Sequence, residues 1–120
     1  MSTKTIYASA ARTATPTAVQ VAIPRGCRGI RVVLDATAVT STPSVITTID
    51  TLDSVSGKWV NLLTSAAVAT VTTNTYVVAL GVTVAANLSA SAPLGDQVRI
   101  TCTHGNGNSI TYSVGATLVR

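Results

Sequence analysis

The side chains able to do acid–base or nucleophilic work are few and scattered: His104, the carboxylates Asp35, Asp50, Asp53 and Asp96, and the thiols of Cys27 and Cys102, with no Glu anywhere. A Ser/His/Asp relay can be drawn from Ser109, His104 and Asp96, with the acid orienting the imidazole and the imidazole taking the serine proton. No nucleophile-elbow pattern frames Ser109, and His104 reads more simply as a turn-side residue bonded to backbone. Asp50 and Asp53 could hold a cation with Asn or backbone oxygens. They lack the ligand spacing of a calcium loop and read as solvated turn charges. Gly105-Asn106-Gly107-Asn108 resembles a phosphate-cradling loop only in its glycines. Without the Lys-Ser/Thr and the helix that must follow, it reads as a tight hairpin turn with Asn-Gly at its heart. Two cysteines and one histidine far apart do not make a zinc site. The sequence therefore assigns no catalytic residue, no metal and no cofactor, and an enzyme is not expected.

What remains is binding chemistry. Arg25, Arg28 and Arg31 form a small basic group in a chain of net charge +4 with only 10% charged residues. Nucleic-acid binders cluster more Lys and Arg and interleave aromatics, and here Trp59, Tyr7, Tyr76 and Tyr112 are the only aromatics. Nucleic acid is not an expected partner. Arg25 and Arg28 could grip a partner's carboxylates bidentately, whereas Arg31 would face the other way in a strand starting at Arg28. Ile6 and Tyr7 are the sizeable apolar groups before Val19. Arg25, Arg28, Ile6 and Tyr7 are thus the candidate partner contacts.

These residues must be positioned by strands. The chain holds 21 Thr and 17 Val, with 17 Ala and no Phe, and side chains branched at Cβ suit a pleated surface better than a helix. Val19, Val21 and Ile23 alternate up to Pro24, and a basic turn then leads into a long strand over 30–39. Its period slips around Val32-Val33, as from local burial on both faces or a bulge. Val45–Asp50 and Trp59–Leu63 flank Asp53–Lys58, a hairpin in which Gly57 supplies positive φ and Ser54 and Ser56 bond the turn backbone. Trp59 is expected over the core beside that turn, its indole N–H partnered. Residues 64–74 read as a loop or edge strand, 75–80 as a strand, and 85–88 as one helical turn. Val98, Ile100 and Cys102 share one strand face, which makes Cys102 a buried thiol. Ile110, Tyr112, Val114, Ala116 and Leu118 share the face of a returning strand.

Short strands at roughly ten-residue spacing predict an all-β antiparallel β-sandwich, Ig-like or jelly-roll-like. Residues 1–20 are an extended N-terminal arm, ordered on a neighbouring subunit, or a first strand; residues 21–120 are the sandwich domain. No apolar h-region follows Met1–Lys4 and no window approaches a membrane span. Synthesis in a cytoplasm with reduced thiols, and no membrane partner, are expected.

Pro43-Ser44-Val45, then Asp53-Ser54-Val55-Ser56-Gly57-Lys58-Trp59 with Leu62-Leu63-Thr64-Ser65-Ala66-Ala67, and Thr103-His104-Gly105 with Asn108-Ser109-Ile110-Thr111-Tyr112-Ser113-Val114-Gly115-Ala116, resemble a family of small virion structural proteins of tailed bacteriophages. The likeness covers roughly residues 28–118. It implies a structural role in the virion, most closely that of a capsid decoration (cement) protein. Such a protein, often a homo-oligomer, sits on the outer surface of the major capsid protein shell and stabilises it against internal pressure. A tail or neck component is the alternative within that class. A carbohydrate-binding β-sandwich module is the alternative outside it, although such modules present more aromatics than this chain holds.

Overall fold

A computed structural model describes residues 2–120. Among them there is no helix, and the strands in order are β1 (Ser2–Arg12), β2 (Val19–Ala22), β3 (Gly29–Val39), β4 (Val45–Asp53), β5 (Lys58–Thr64), β6 (Thr72–Ala79), β7 (Ser89–Ala90), β8 (Gln97–His104) and β9 (Ile110–Val119). They form two packed sheets, one ordered β1-β9-β3-β6-β7 and the other β2-β8-β4-β5. Every pairing is antiparallel except that of β6 with the short β7. The expected all-β antiparallel sandwich is the fold.

The core follows from period two. Ile30, Val32, Leu34 and Ala36 of β3, Val98, Ile100 and Cys102 of β8, and alternate residues of β9 from Ile110 to Leu118 point between the sheets and are buried. Each larger aliphatic among them contributes about 1.5–3 kcal/mol by leaving water. β3 keeps strict alternation through Val32-Val33, and its bulge falls later, between Ala36 and Ala38.

The extended arm is not confirmed. Ser2–Arg12 lies along β9 of its own chain, from Ser2 opposite Leu118 to Arg12 opposite Ile110.

Gly57 has φ of +73° and donates to the Asp53 carbonyl at 2.8 Å, closing the β4–β5 hairpin. Asp53 accepts from Val55 N at 3.2 Å and from the Ser56 hydroxyl at 2.6 Å. These bonds stabilise the charged form and hold its carboxyl below the ordinary 3.8.

Several expectations need correction. β8 and β9 belong to different sheets, so residues 105–109 arch across the core instead of closing a tight hairpin. Both strands carry an apolar face, and facing each other buries both faces. The Asn-Gly pair takes no positive φ; instead Asn106 and Asn108 donate their side-chain amides to the Thr42 carbonyl at 2.9 and 3.0 Å. β6 begins at Thr72 and ends before Leu80. Residues 85–88 form a tight turn, not a helical one, in which Asn87 has φ of +63° and Leu88 N donates to Ala85 O at 3.0 Å.

Candidate functional site

The sequence marked Arg25 and Arg28 for contact, and local backbone geometry presents both. Cys27 N donates to Pro24 O at 3.2 Å with Gly26 at φ of +83°. The bond makes Arg25 and Gly26 the two central residues, and glycine at the positive-φ position closes a tight turn with Arg25 at its apex. Arg28 N then bonds Val119 O, which ties the start of β3 to the end of β9. Both arginines are exposed. Beside the turn lies a cleft of about 420 Å³, lined by Ile23, Pro24, Arg25, Cys27, Leu94 and Asp96. Ile23 N donates to Asp96 O at 2.8 Å and joins its two walls. Cys27 is half-buried there as a free thiol, its Sγ 3.3 Å from Gly29 O.

Ile6 and Tyr7, the other marked residues, are each only 7% exposed and belong to the chain's own core. The register shift between Thr5 and Tyr7 lets two consecutive side chains turn inward. As surface contacts they are therefore withdrawn. Tyr7 donates its hydroxyl to Thr17 O at 2.8 Å, and burial, then the nearby Cys102, push its pKa up to about 12.

Arg12 carried no signal in the sequence beyond being a lone charge in an Ala/Thr-rich segment. Its guanidinium donates to the carbonyls of Ala8 (2.6 Å), Ala10 (3.2 Å) and Tyr112 (2.8 Å). It lies 5.4 Å from the Tyr7 ring centroid and 4.7 Å from that of Tyr112. The ladder between β1 and β9 slips between Tyr7 and Ala10, and Arg12 satisfies carbonyls next to that slip. His104 Nε2 is 2.9 Å from the Tyr112 hydroxyl. Burial, then Arg12, hold His104 below its ordinary 6.5. His104 N donates to the Thr15 hydroxyl at 2.9 Å, so its side-chain partner is Tyr112 and not the backbone.

His104 and Asp96 flank opposite ends of β8, a separation of roughly 26 Å at about 3.3 Å per residue. The relay drawn from Ser109, His104 and Asp96 is not assembled. Among the described residues no three His, Cys, Asp or Glu side chains group as metal ligands. Cys102 is fully buried, and burial pushes its thiol up to about 11.

Asp50 points out of the second sheet, where it meets Arg99 across β8 at 3.2 Å and Asn61 across β5 at 3.0 Å. Trp59 shares that outer face, with the Arg99 guanidinium carbon 4.7 Å from its ring centroid. Its expected place over the core is wrong for a definable reason. The bulge between Ile49 and Asp50 inserts Leu62 into β5 and turns the hairpin end outward. A sugar stacking on Trp59 would compete with Arg99 for the ring.

The topology sorts charge. Turn 24–28, the β4–β5 hairpin, the loops beyond β6 and before β8, and the pairing of Ser2 with Leu118 all meet at one end of the sandwich. Lys4, Arg25, Arg28, Arg31, Lys58 and Arg120 lie at or near it, against Asp53 and Asp96. The loops at the other end, 13–18, 40–44, 65–71 and 105–109, contain no Asp, Glu, Lys or Arg. The basic end also carries Leu80, Val84 and Leu88, exposed by 67, 66 and 49%. Residue 80 directly follows Ala79, which pairs with Gly29.

In comparisons with known proteins, no family model matches the chain and no curated sequence is similar to it.

Proposed function

We propose that this chain is a non-enzymatic virion structural protein of a tailed bacteriophage, a capsid decoration protein that binds the outer surface of the major capsid protein shell as a homo-oligomer. The resemblance of residues 28–118 motivates this reading. The observation that carries it is the aliphatic loop over 80–88, where Leu80, Val84 and Leu88 stand exposed together, whereas the other exposed aliphatics, Val55, Val60 and Val71, are dispersed over the hairpin, β5 and the 65–71 loop. Solvent-exposed aliphatics gathered on one loop mark a contact surface. Many equivalent sites on a shell make a weak single contact sufficient through avidity. A tail or neck component would use the same surface at fewer sites.

The test is copy number and position in purified particles. Hundreds of copies over the head support decoration. A few copies at a vertex or along the tail assign the alternative, and absence from particles overturns the virion reading.

A further inference from the structure

We infer that the basic end of the sandwich is the docking end, and that it receives a carboxylate-bearing surface of a folded protein, with an Asp or Glu of that partner seated against Arg25 at the mouth of the cleft. The inference deepens the reading of this chain as a binding protein and does not depend on the partner being a shell.

Three observations converge. First, among the described residues the one ion pair within 4.0 Å is Arg99–Asp50. Arg25 and Asp96 line the same cleft without pairing, and Arg25 and Arg28 project from a hydrogen-bonded turn with no carboxylate of their own chain within salt-bridge distance. A guanidinium left open in this way matches a carboxylate bidentately. Second, Ile23, Pro24 and Leu94 line the same cleft, so the aliphatic stem of an incoming Asp or Glu finds apolar wall below its charge. Third, Leu80 directly follows Ala79, which pairs with Gly29, so the loop carrying the exposed Leu80, Val84 and Leu88 leaves the sheet one strand over from Arg28 and adds apolar surface to the same end.

The distribution of sign selects the class of partner. A nucleic acid or an anionic membrane presents uniform negative charge, which the basic side chains at this end attract but which leaves Asp53 and Asp96 facing like charge. A folded protein can set a carboxylate against Arg25 and a donor against Asp96. The neutral loops at 40–44 and 105–109 then face away from the partner.

The test uses the full chain, isotope-labelled for amide NMR, titrated at low salt with a synthetic peptide alternating Glu and Leu. Duplex DNA and phosphatidylglycerol vesicles form parallel arms. Shifts confined to residues 23–28, 80–88 and 94–96, weakened by salt and reduced at least tenfold in affinity by Arg25→Ala with Arg28→Ala, support the inference. No shifts, shifts spread over the neutral end, or tighter binding to DNA or vesicles overturn it. Both substitutions lie on an exposed turn, and an unchanged amide spectrum elsewhere verifies the fold. Binding to shells stripped of the protein separates the two readings. Shell binding unaffected by the double variant refutes the docking end alone, and peptide binding at the basic end without shell binding refutes the virion reading alone.

Discussion

Arg12 holds its guanidinium carbon 4.7 Å from the centre of the Tyr112 ring while donating to the Tyr112 carbonyl at 2.8 Å. One side chain of β1 thereby grips β9 through both its aromatic face and its backbone, next to a slip in the ladder. Lysine cannot reproduce the fork that reaches Ala8, Ala10 and Tyr112. Arg12→Lys and Arg12→Met should each lower stability by about 2 kcal/mol, from lost charge-assisted hydrogen bonds and cation–π contact. Urea unfolding measures it, and a loss below about 0.5 kcal/mol would show that the grip contributes little.

Stability should fall on both sides of neutrality, for different groups. His104 has a folded pKa held below 6.5 by burial and then by Arg12, so the unfolded chain takes up its proton more readily. The stability from neutral His104 is present above pH 6.5 and is lost as pH falls below that value toward the folded pKa. On the alkaline side Cys102 rises from 9.0 to about 11 and Tyr7 from 10.0 to about 12, both chiefly through burial. Their contribution is complete below pH 9 and disappears as pH climbs through 11 and 12. Urea midpoints across pH 5–11 should trace a plateau with two shoulders. His104→Phe should flatten the step between pH 7 and 5. A variant that keeps the step assigns it to another group.

Gly29 needs no positive φ; it needs space. A Cβ built there would collide with the Ala79 Cβ and meet the Val78 carbonyl oxygen at 2.8 Å. Both belong to β6, so relief requires β3 and β6 to separate at the end that carries turn 24–28. Gly29→Ala should cost about 1–3 kcal/mol by overpacking. Adding Ala79→Gly should recover part of it, because the Val78 oxygen remains in the way. Thermal melts of the single and double variants decide the matter, and a neutral single variant would mean that the strand pair yields freely.

The fold was legible because the dominant signal is local. Val98, Ile100 and Cys102, or Ile110 through Leu118, alternate so regularly that strand and inward face follow from period two, and Gly57 marked its hairpin. What stayed hidden depends on which strands become neighbours. Asn106-Gly107 looks the same whether it closes a hairpin or arches between sheets, and only the competition of two apolar faces for one core separates these. Trp59 was misplaced because the bulge at Leu62 reverses which side of the sheet a residue meets, and no residue type announces that insertion. Of the candidate contacts, the exposure of Arg25 and Arg28 was readable from a Pro-Arg-Gly turn. Ile6 and Tyr7 were not, because adjacent apolar residues in an otherwise small-residue strand suggest a surface patch until a bulge turns both inward. Arg12 gave no warning, since its partners are carbonyls and ring faces instead of an acid.

The pairing of β1 with β9 has a consequence for how the chain is made. β1 leaves the ribosome well before its hydrogen-bonded neighbour β9. At about 5–20 residues per second it waits roughly 5–20 s before that neighbour exists. A strand that must idle this long is safest when it attracts little else. Thr, Ala and Ser fill most of Ser2–Arg12, and their low hydrophobicity suits a nascent segment that must remain unclaimed until β9 emerges.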